Sequence, residues 1–160
     1  MPTIIADIKK IPEETLREFL YLAIFVPEGE KAPEKSIIDL PELLLYIENF
    51  GKKRGDIAVA AVAENEFVGL AWARIMHDYG HIGDETPSLA ISIREEYRGM
   101  GIGEKMLRTL LRLLLEKGYP GLSLSVQKEN KRAFALYQKL RFEIVREDAE
   151  EAIMLYKLNG

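Results

Sequence analysis

The chain contains no cysteine. That absence excludes a disulfide framework, a thiolate nucleophile and a cysteine metal site. Histidine is nearly as scarce. His77 and His81 are the only two, too few for a zinc site without help from carboxylates, so no metal is expected. No stretch approaches the roughly 18 uncharged apolar residues that a membrane span needs. The opening MPTIIADIKK has no basic start leading into an apolar run, so no secretory signal is expected. Repeats, low-complexity tracts and linkers are also missing. What is there is a chain of 160 residues, 48% hydrophobic and 30% charged. This is the size and balance of one folded domain spanning 1–160, expected to be soluble and cytoplasmic.

The formal net charge is -4, which argues against a nucleic-acid partner. Its distribution says more. Residues 1–93 carry 9 Lys/Arg against 16 Asp/Glu, and residues 94–132 carry 9 against 5. A basic centre beside an acidic first half suits an anionic ligand and a cationic second one. Solvated charged faces would produce the same numbers.

The order of elements follows from periodicity. Residues 3–8 read as a strand. Leu16, Phe19, Leu20, Ala23 and Ile24 recur at helical spacing over 12–26, with Pro12 at the start. A second helix is predicted from Asp39, its candidate cap, to Gly51. The runs 57–63 and 67–76 flank a polar turn and form a hairpin. Residues 88–93 make a buried strand. The helix 103–117 has Met106, Leu107, Leu110, Leu111 and Leu114 as its apolar face. The strand 121–127, a short helix over 131–140 and strands at 142–146 and 152–158 complete the order. This alternation implies a mixed α/β or α+β sheet.

The stretch from Ser88 to Leu107 passes from strand through a glycine-rich turn to helix. Gly99, Gly101 and Gly103 remove Cβ atoms where the backbone must bend or approach a ligand. Consecutive amides in such a turn, at the positive end of a helix, form a nest for phosphate oxygens. A dinucleotide fingerprint fails, because Glu104 or Met106 stands where its third glycine belongs. A Walker A loop also fails, since Gly103-Glu104-Lys105 lacks the Gly-Lys-Ser/Thr ending. What fits is R-x-x-G-x-G, written Arg98-Gly99-Met100-Gly101-Ile102-Gly103. A strand and a turn later comes Asn130-Lys131-Arg132-Ala133-Phe134-Ala135-Leu136-Tyr137. Asn130 is placed to cap the helix. Tyr137 lies close to two turns further on, nearly on the same face.

Together these motifs, within 88–142, resemble the GNAT acyltransferase superfamily. The first looks like its coenzyme A pyrophosphate loop and the second like its N-x-x-A-x-x-x-Y helix. The resemblance implies a mostly antiparallel, twisted sheet, splayed between strands 4 and 5 and flanked by about four helices. It also implies acetyl-coenzyme A (acetyl-CoA) as co-substrate, with direct transfer of its acetyl group to a primary amine. By the same resemblance, Ile91, Ser92 and Ile93 hold the pantetheine arm, and the Ile93 amide faces the thioester oxygen. Residues 98–103 hold the pyrophosphate, Asn130 contacts the cofactor, and Tyr137 protonates the departing thiolate.

Two positions depart from the family pattern. Relatives often carry Glu near the start of the strand, where Ser88 stands here, so the base must come from elsewhere. Glu85, Asp84, His81 and His77 lie just upstream, with Glu85 as first choice. Arg141 replaces a glycine usually found after the Asn-to-Tyr helix, which strains that turn if it needs positive φ. The acidic first half points to a cationic small amine, polyamine or peptide N-terminus, and the resemblance is compatible with a homodimer. The competing reading is a GNAT-fold sensor that holds acyl-CoA without transferring it, which the presence of Tyr137 disfavours.

Overall fold

A computed structural model describes residues 1–158. Seven strands form one sheet in the order β1-β2-β3-β4-β5-β7-β6. They are β1 (Thr3–Ile5), β2 (Ile57–Ala63), β3 (Glu66–Arg74), β4 (Ser88–Ile93), β5 (Gly121–Gln127), β6 (Glu143–Glu147) and β7 (Glu151–Lys157). Four helices accompany them: α1 (Glu13–Leu22), α2 (Pro41–Leu44), α3 (Ile102–Glu116) and α4 (Lys131–Lys139). Every strand pair is antiparallel except β4 with β5. That parallel pair is joined at one position only, Ser88 against Ser123. The α+β architecture expected from the sequence, including the splay between strands 4 and 5, is therefore present.

Side-chain alternation gives the sheet two buried faces. On one, Val59, Ala71, Leu89, Leu122, Leu124 and Met154 meet Met106, Leu107, Leu110 and Leu114 of α3. On the other, Ala58, Ala60, Leu70, Trp72 and Ala90 meet Leu16, Phe19 and Leu20 of α1 and Ile38 and Ile47 from the following segment. The hairpin β2–β3 turns through Glu64 and Asn65, both at positive φ (51° and 64°), the backbone of a two-residue I′ turn.

Two expectations fail. The second helix does not run from 39 to 51. Its α-helical part is four residues long, and Asp39 caps nothing, because Leu40 holds the N-cap position and the Asp39 carboxylate pairs with Arg17 at 2.7 Å. The rest of this segment is held by tertiary contacts. Arg74, 1% exposed, donates to the carbonyls of Leu45 and Glu48 at 3.1 and 2.6 Å and pairs with both Asp56 oxygens at 2.9 Å. Residues whose backbone acceptors are taken by a buried guanidinium do not need a helix to satisfy them. The first strand is also shorter than 3–8, since Asp7 turns to φ 50° and leaves the ladder. Among the described residues, no helix is long and apolar enough to cross a membrane.

Candidate active site

The site is an opening in the sheet. The Arg94 amide donates to the Val68 carbonyl at 2.8 Å. In an antiparallel ladder, backbone groups face alternate sides, so the even residues of β4 address β3 and the odd ones face away. The Pro87 carbonyl accordingly accepts the Ser123 amide at 2.9 Å. Beyond that point β5 has diverged. The amides of Ile91 and Ile93 therefore point into the gap with no strand to meet them. The Ile93 carbonyl takes the Arg98 Nε at 3.1 Å, which leaves that residue's amide as its free group. Ser92 has the opposite parity. Its backbone pairs with Leu70 and its hydroxyl donates to the Phe19 carbonyl at 2.6 Å, tying β4 to α1, so it offers the gap nothing.

At the mouth of the gap lies the glycine-rich turn. Gly99 and Gly101 have φ of 77° and 80°, values that a residue with a Cβ takes only under strain. A Cβ added to either would meet nothing within 4 Å, so the turn is open toward solvent. Gly101 is the N-cap of α3 and brings no capping side chain. The amides from Gly99 to Glu104 find no protein acceptor among the described residues. Six adjacent donors at a helix N-terminus hold an anion such as a pyrophosphate. Met100, 45% exposed, and Ile102, wholly buried, can take part only through these amides, given where their side chains lie. In the turn and the first turn of α3, Arg98 and Lys105 have no carboxylate partner among the described residues, and neither do Lys131 and Arg132 at the start of α4, whereas Arg94, Arg108 and Lys139 do. Part of the basic centre seen in the sequence, Arg98 and Lys105, therefore lies at the turn unpaired.

The helix α4 follows β5 and packs in the same apolar cluster as α3. Asn130 caps it, its side chain accepting the Ala133 amide at 3.4 Å. Tyr137 is 7% exposed and packs against Phe142, with ring centroids 5.6 Å apart. Its hydroxyl bonds to no protein group, yet no buried side-chain oxygen among the described residues lacks a partner, so this oxygen is not sealed off. Burial pushes the phenol pKa up to about 12, keeping it protonated.

The Acetyltransferase (GNAT) family profile matches residues 16–142, a span that holds the gap, the amide nest and Tyr137. The chain belongs to the GNAT family. An acetyltransferase of Pectobacterium atrosepticum is 29% identical over 90 residues, covering 56% of this chain and 60% of that protein. The curated relatives are matched over 29% to 60% of their own length. Two solved structures share the GNAT fold across nearly the whole chain. The paia N-acetyltransferase of Thermoplasma acidophilum, crystallised with coenzyme A, has a TM-score of 0.67 at 21% identity, covering 97% of this chain and 99% of that one. YncA, a putative acetyltransferase of Salmonella typhimurium crystallised with acetyl-CoA, has a TM-score of 0.70 at 13% identity, covering 100% and 95%.

Against this GNAT frame the upstream acid and base candidates can be located. Glu85 faces Arg54 at 2.8 Å, both side chains more than 60% exposed. His77, His81 and Asp84 gather with one another. The carboxylate that does reach β4 belongs to Asp78, which the sequence did not single out. Its two oxygens accept from the Ser88 hydroxyl and from the Tyr46 hydroxyl, each at 2.8 Å. Tyr46 is itself pushed well above the usual phenol range by burial and then by the Asp78 and Glu151 carboxylates, so it stays protonated and donates to Asp78. The Ser88 Oγ lies 3.5 Å from the Ser123 Oγ, at the one joined position of β4 and β5. Ser88 thus begins the gap with a carboxylate behind it. Arg141, at φ 75°, occupies the left-handed conformation that favours glycine, so the strain expected at this turn is present.

Proposed function

We propose that the chain transfers the acetyl group of acetyl-CoA directly to a primary amine of a small molecule or peptide. The observation that carries this reading is one opening lined by two unmatched strand amides, mouthed by six free loop amides, and flanked by an unbonded buried phenol. Pyrophosphate oxygens fit the amides of residues 99–104, with Arg98, Lys105, Lys131 and Arg132 supplying positive charge. The amides of Ile91 and Ile93 fit the pantetheine and the thioester carbonyl, and the Ile93 amide stabilises the oxyanion that forms when the amine attacks. Asn130 contributes chiefly by fixing the start of α4.

Proton movements assign the remaining roles. An amine bound in its ammonium form sheds one proton before it attacks and a second from the tetrahedral intermediate, while the departing thiolate takes one up, so one proton leaves to water. Tyr137, protonated at every ordinary pH, donates to the thiolate as general acid. The Asp78 carboxylate receives the amine proton. Ser88 lies five residues before Ile93, roughly 17 Å along the strand, so the path from amine to Asp78 runs through a chain of bridging waters and the Ser88 hydroxyl. Asp78 and the nearby Glu151 give the acceptor side a negative field, which favours a cationic amine.

Thiol release from acetyl-CoA with an amine present tests the assignment. Asp78→Asn keeps the shape but loses the charge and turns one acceptor into a donor, and it slows turnover with little change in acetyl-CoA affinity. Full turnover in that variant would remove Asp78 from the mechanism.

A further inference from the structure

Away from the acyl-transfer gap, both histidines of the chain meet a carboxylate. The His81 Nε2 lies 3.4 Å from the Asp84 Oδ1, and the His77 Nε2 lies 3.6 Å from the same oxygen. The two rings stack with centroids 4.1 Å apart, and the three ligand atoms all fall within 4.8 Å of one another. Sequence spacing alone, His-x3-His-x2-Asp, does not require this. The loop between β3 and β4 brings it about.

The His81 ring has a fixed tautomer. Its Nδ1 is 2.8 Å from the Met76 carbonyl, which can only accept, so Nδ1 carries the hydrogen. Nε2 is then the nitrogen turned toward Asp84, open to a proton or a metal ion. A positive charge shared between Nε2 and the Asp84 oxygen 3.4 Å away suits this pair, and a second imidazole on the same oxygen makes a metal ion the charge that satisfies all three. A histidine whose far nitrogen is held by a backbone carbonyl while the near one faces outward is the arrangement found at metal ligands. The spacing agrees as well. A tetrahedral ion with bonds of about 2.0–2.2 Å sets its ligand atoms about 3.4 Å apart, close to the two observed nitrogen–oxygen distances. Only the His77 ring needs to swing, and its side chain is 82% exposed and free to do so.

We propose that His77, His81 and Asp84 form a binding site for a divalent transition-metal ion of the zinc type, with water in the fourth position. Two imidazoles and one carboxylate favour zinc, nickel or copper over magnesium or calcium, which prefer all-oxygen shells. The site's three ligands are not groups assigned to acyl transfer, although His77 adjoins Asp78 in the chain. Its effect is mechanical, because residues 77, 81 and 84 bracket a segment that packs on β5. Gly80 lies so close to Leu124 and Ser125 that an added Cβ would be 3.2 Å from their backbone. Bound metal cross-links that segment and holds it on the sheet.

The test is calorimetric titration of the chelator-treated full chain with zinc chloride, with magnesium chloride as control. One zinc ion binds per chain, raises the thermal midpoint, and magnesium produces neither effect. His77→Ala and Asp84→Ala each weaken zinc binding at least about tenfold. Both side chains are more than 80% exposed, so these variants keep the fold. His81→Ala also removes the contact to Met76 and is a supporting variant only. Absence of zinc binding, equal binding of magnesium, or unchanged zinc affinity in either exposed variant overturns the proposal.

Discussion

Replacing Arg141 by glycine should stabilise the protein, and the structure sets the size of the gain. The α4 helix ends in a Schellman turn. The Phe142 amide donates to the Tyr137 carbonyl and the Arg141 amide to the Gln138 carbonyl, each at 3.0 Å. That geometry puts Arg141 in the left-handed region at φ 75°, which costs a residue with a Cβ about 1–2 kcal/mol. The same chain shows the relaxed version at the end of α3. There the Tyr119 amide donates to Leu114 at 3.0 Å and Gly118 takes the left-handed position at φ 86°. The Arg141 side chain is exposed and makes no ion pair or hydrogen bond among the described residues, so truncation forfeits nothing. Glycine's extra freedom in the unfolded chain takes back about 0.4–1 kcal/mol. The net gain is about 0.5–1 kcal/mol, or a thermal midpoint higher by about 1–4 °C for a chain of this size. Urea unfolding should give the same difference with an unchanged slope. Turnover should be unchanged, because the bond from Phe142 to Tyr137 is kept. An unchanged or lower midpoint would refute the strain argument.

Tyr137→Phe should lower turnover by roughly 10²–10⁴-fold and leave the thermal midpoint nearly unchanged, since the hydroxyl bonds to no protein group; a normal rate would remove the general acid. Because burial disfavours the phenolate and pushes this pKa up to about 12, the wild-type rate should show no falling limb below about pH 10 that Tyr137→Phe abolishes. Asp56→Ala strands the buried Arg74 guanidinium and should cost about 3–5 kcal/mol by urea unfolding; a loss under 1 kcal/mol would mean that water reaches the site. Gly101→Val places a branched side chain over the open amides and should abolish measurable coenzyme A binding by calorimetry, whereas normal affinity would dismiss the nest.

The parts legible in the sequence are those fixed by short-range pattern. The strand 88–93 and the run 121–127 match the observed β4 and β5, and the glycine turn and the Asn130 cap sit where their local chemistry requires them. The segment after α1 was misread because its stability is not local. The apolar residues Leu40, Leu43, Leu44 and Ile47 imitate helical periodicity, but Arg74, far along the chain, takes the Leu45 and Glu48 carbonyls. Asp78 escaped notice for a similar reason. One partner, Ser88, is 10 residues away and the other, Tyr46, is 32. The faint available signal was a serine opening a buried strand just after a segment rich in aspartate and glycine. Glu85 and Asp78 both precede β4, and only the loop's path separates the surface carboxylate from the one that reaches the strand.

The most direct test of acyl transfer is the thiol released from acetyl-CoA over a panel of primary amines, with the acetylated product weighed by mass spectrometry. The account predicts release that depends on a cationic amine and matches the acetylated product one for one. Tight acetyl-CoA binding with no release above the enzyme-free rate for any amine would contradict transfer and leave a binding module.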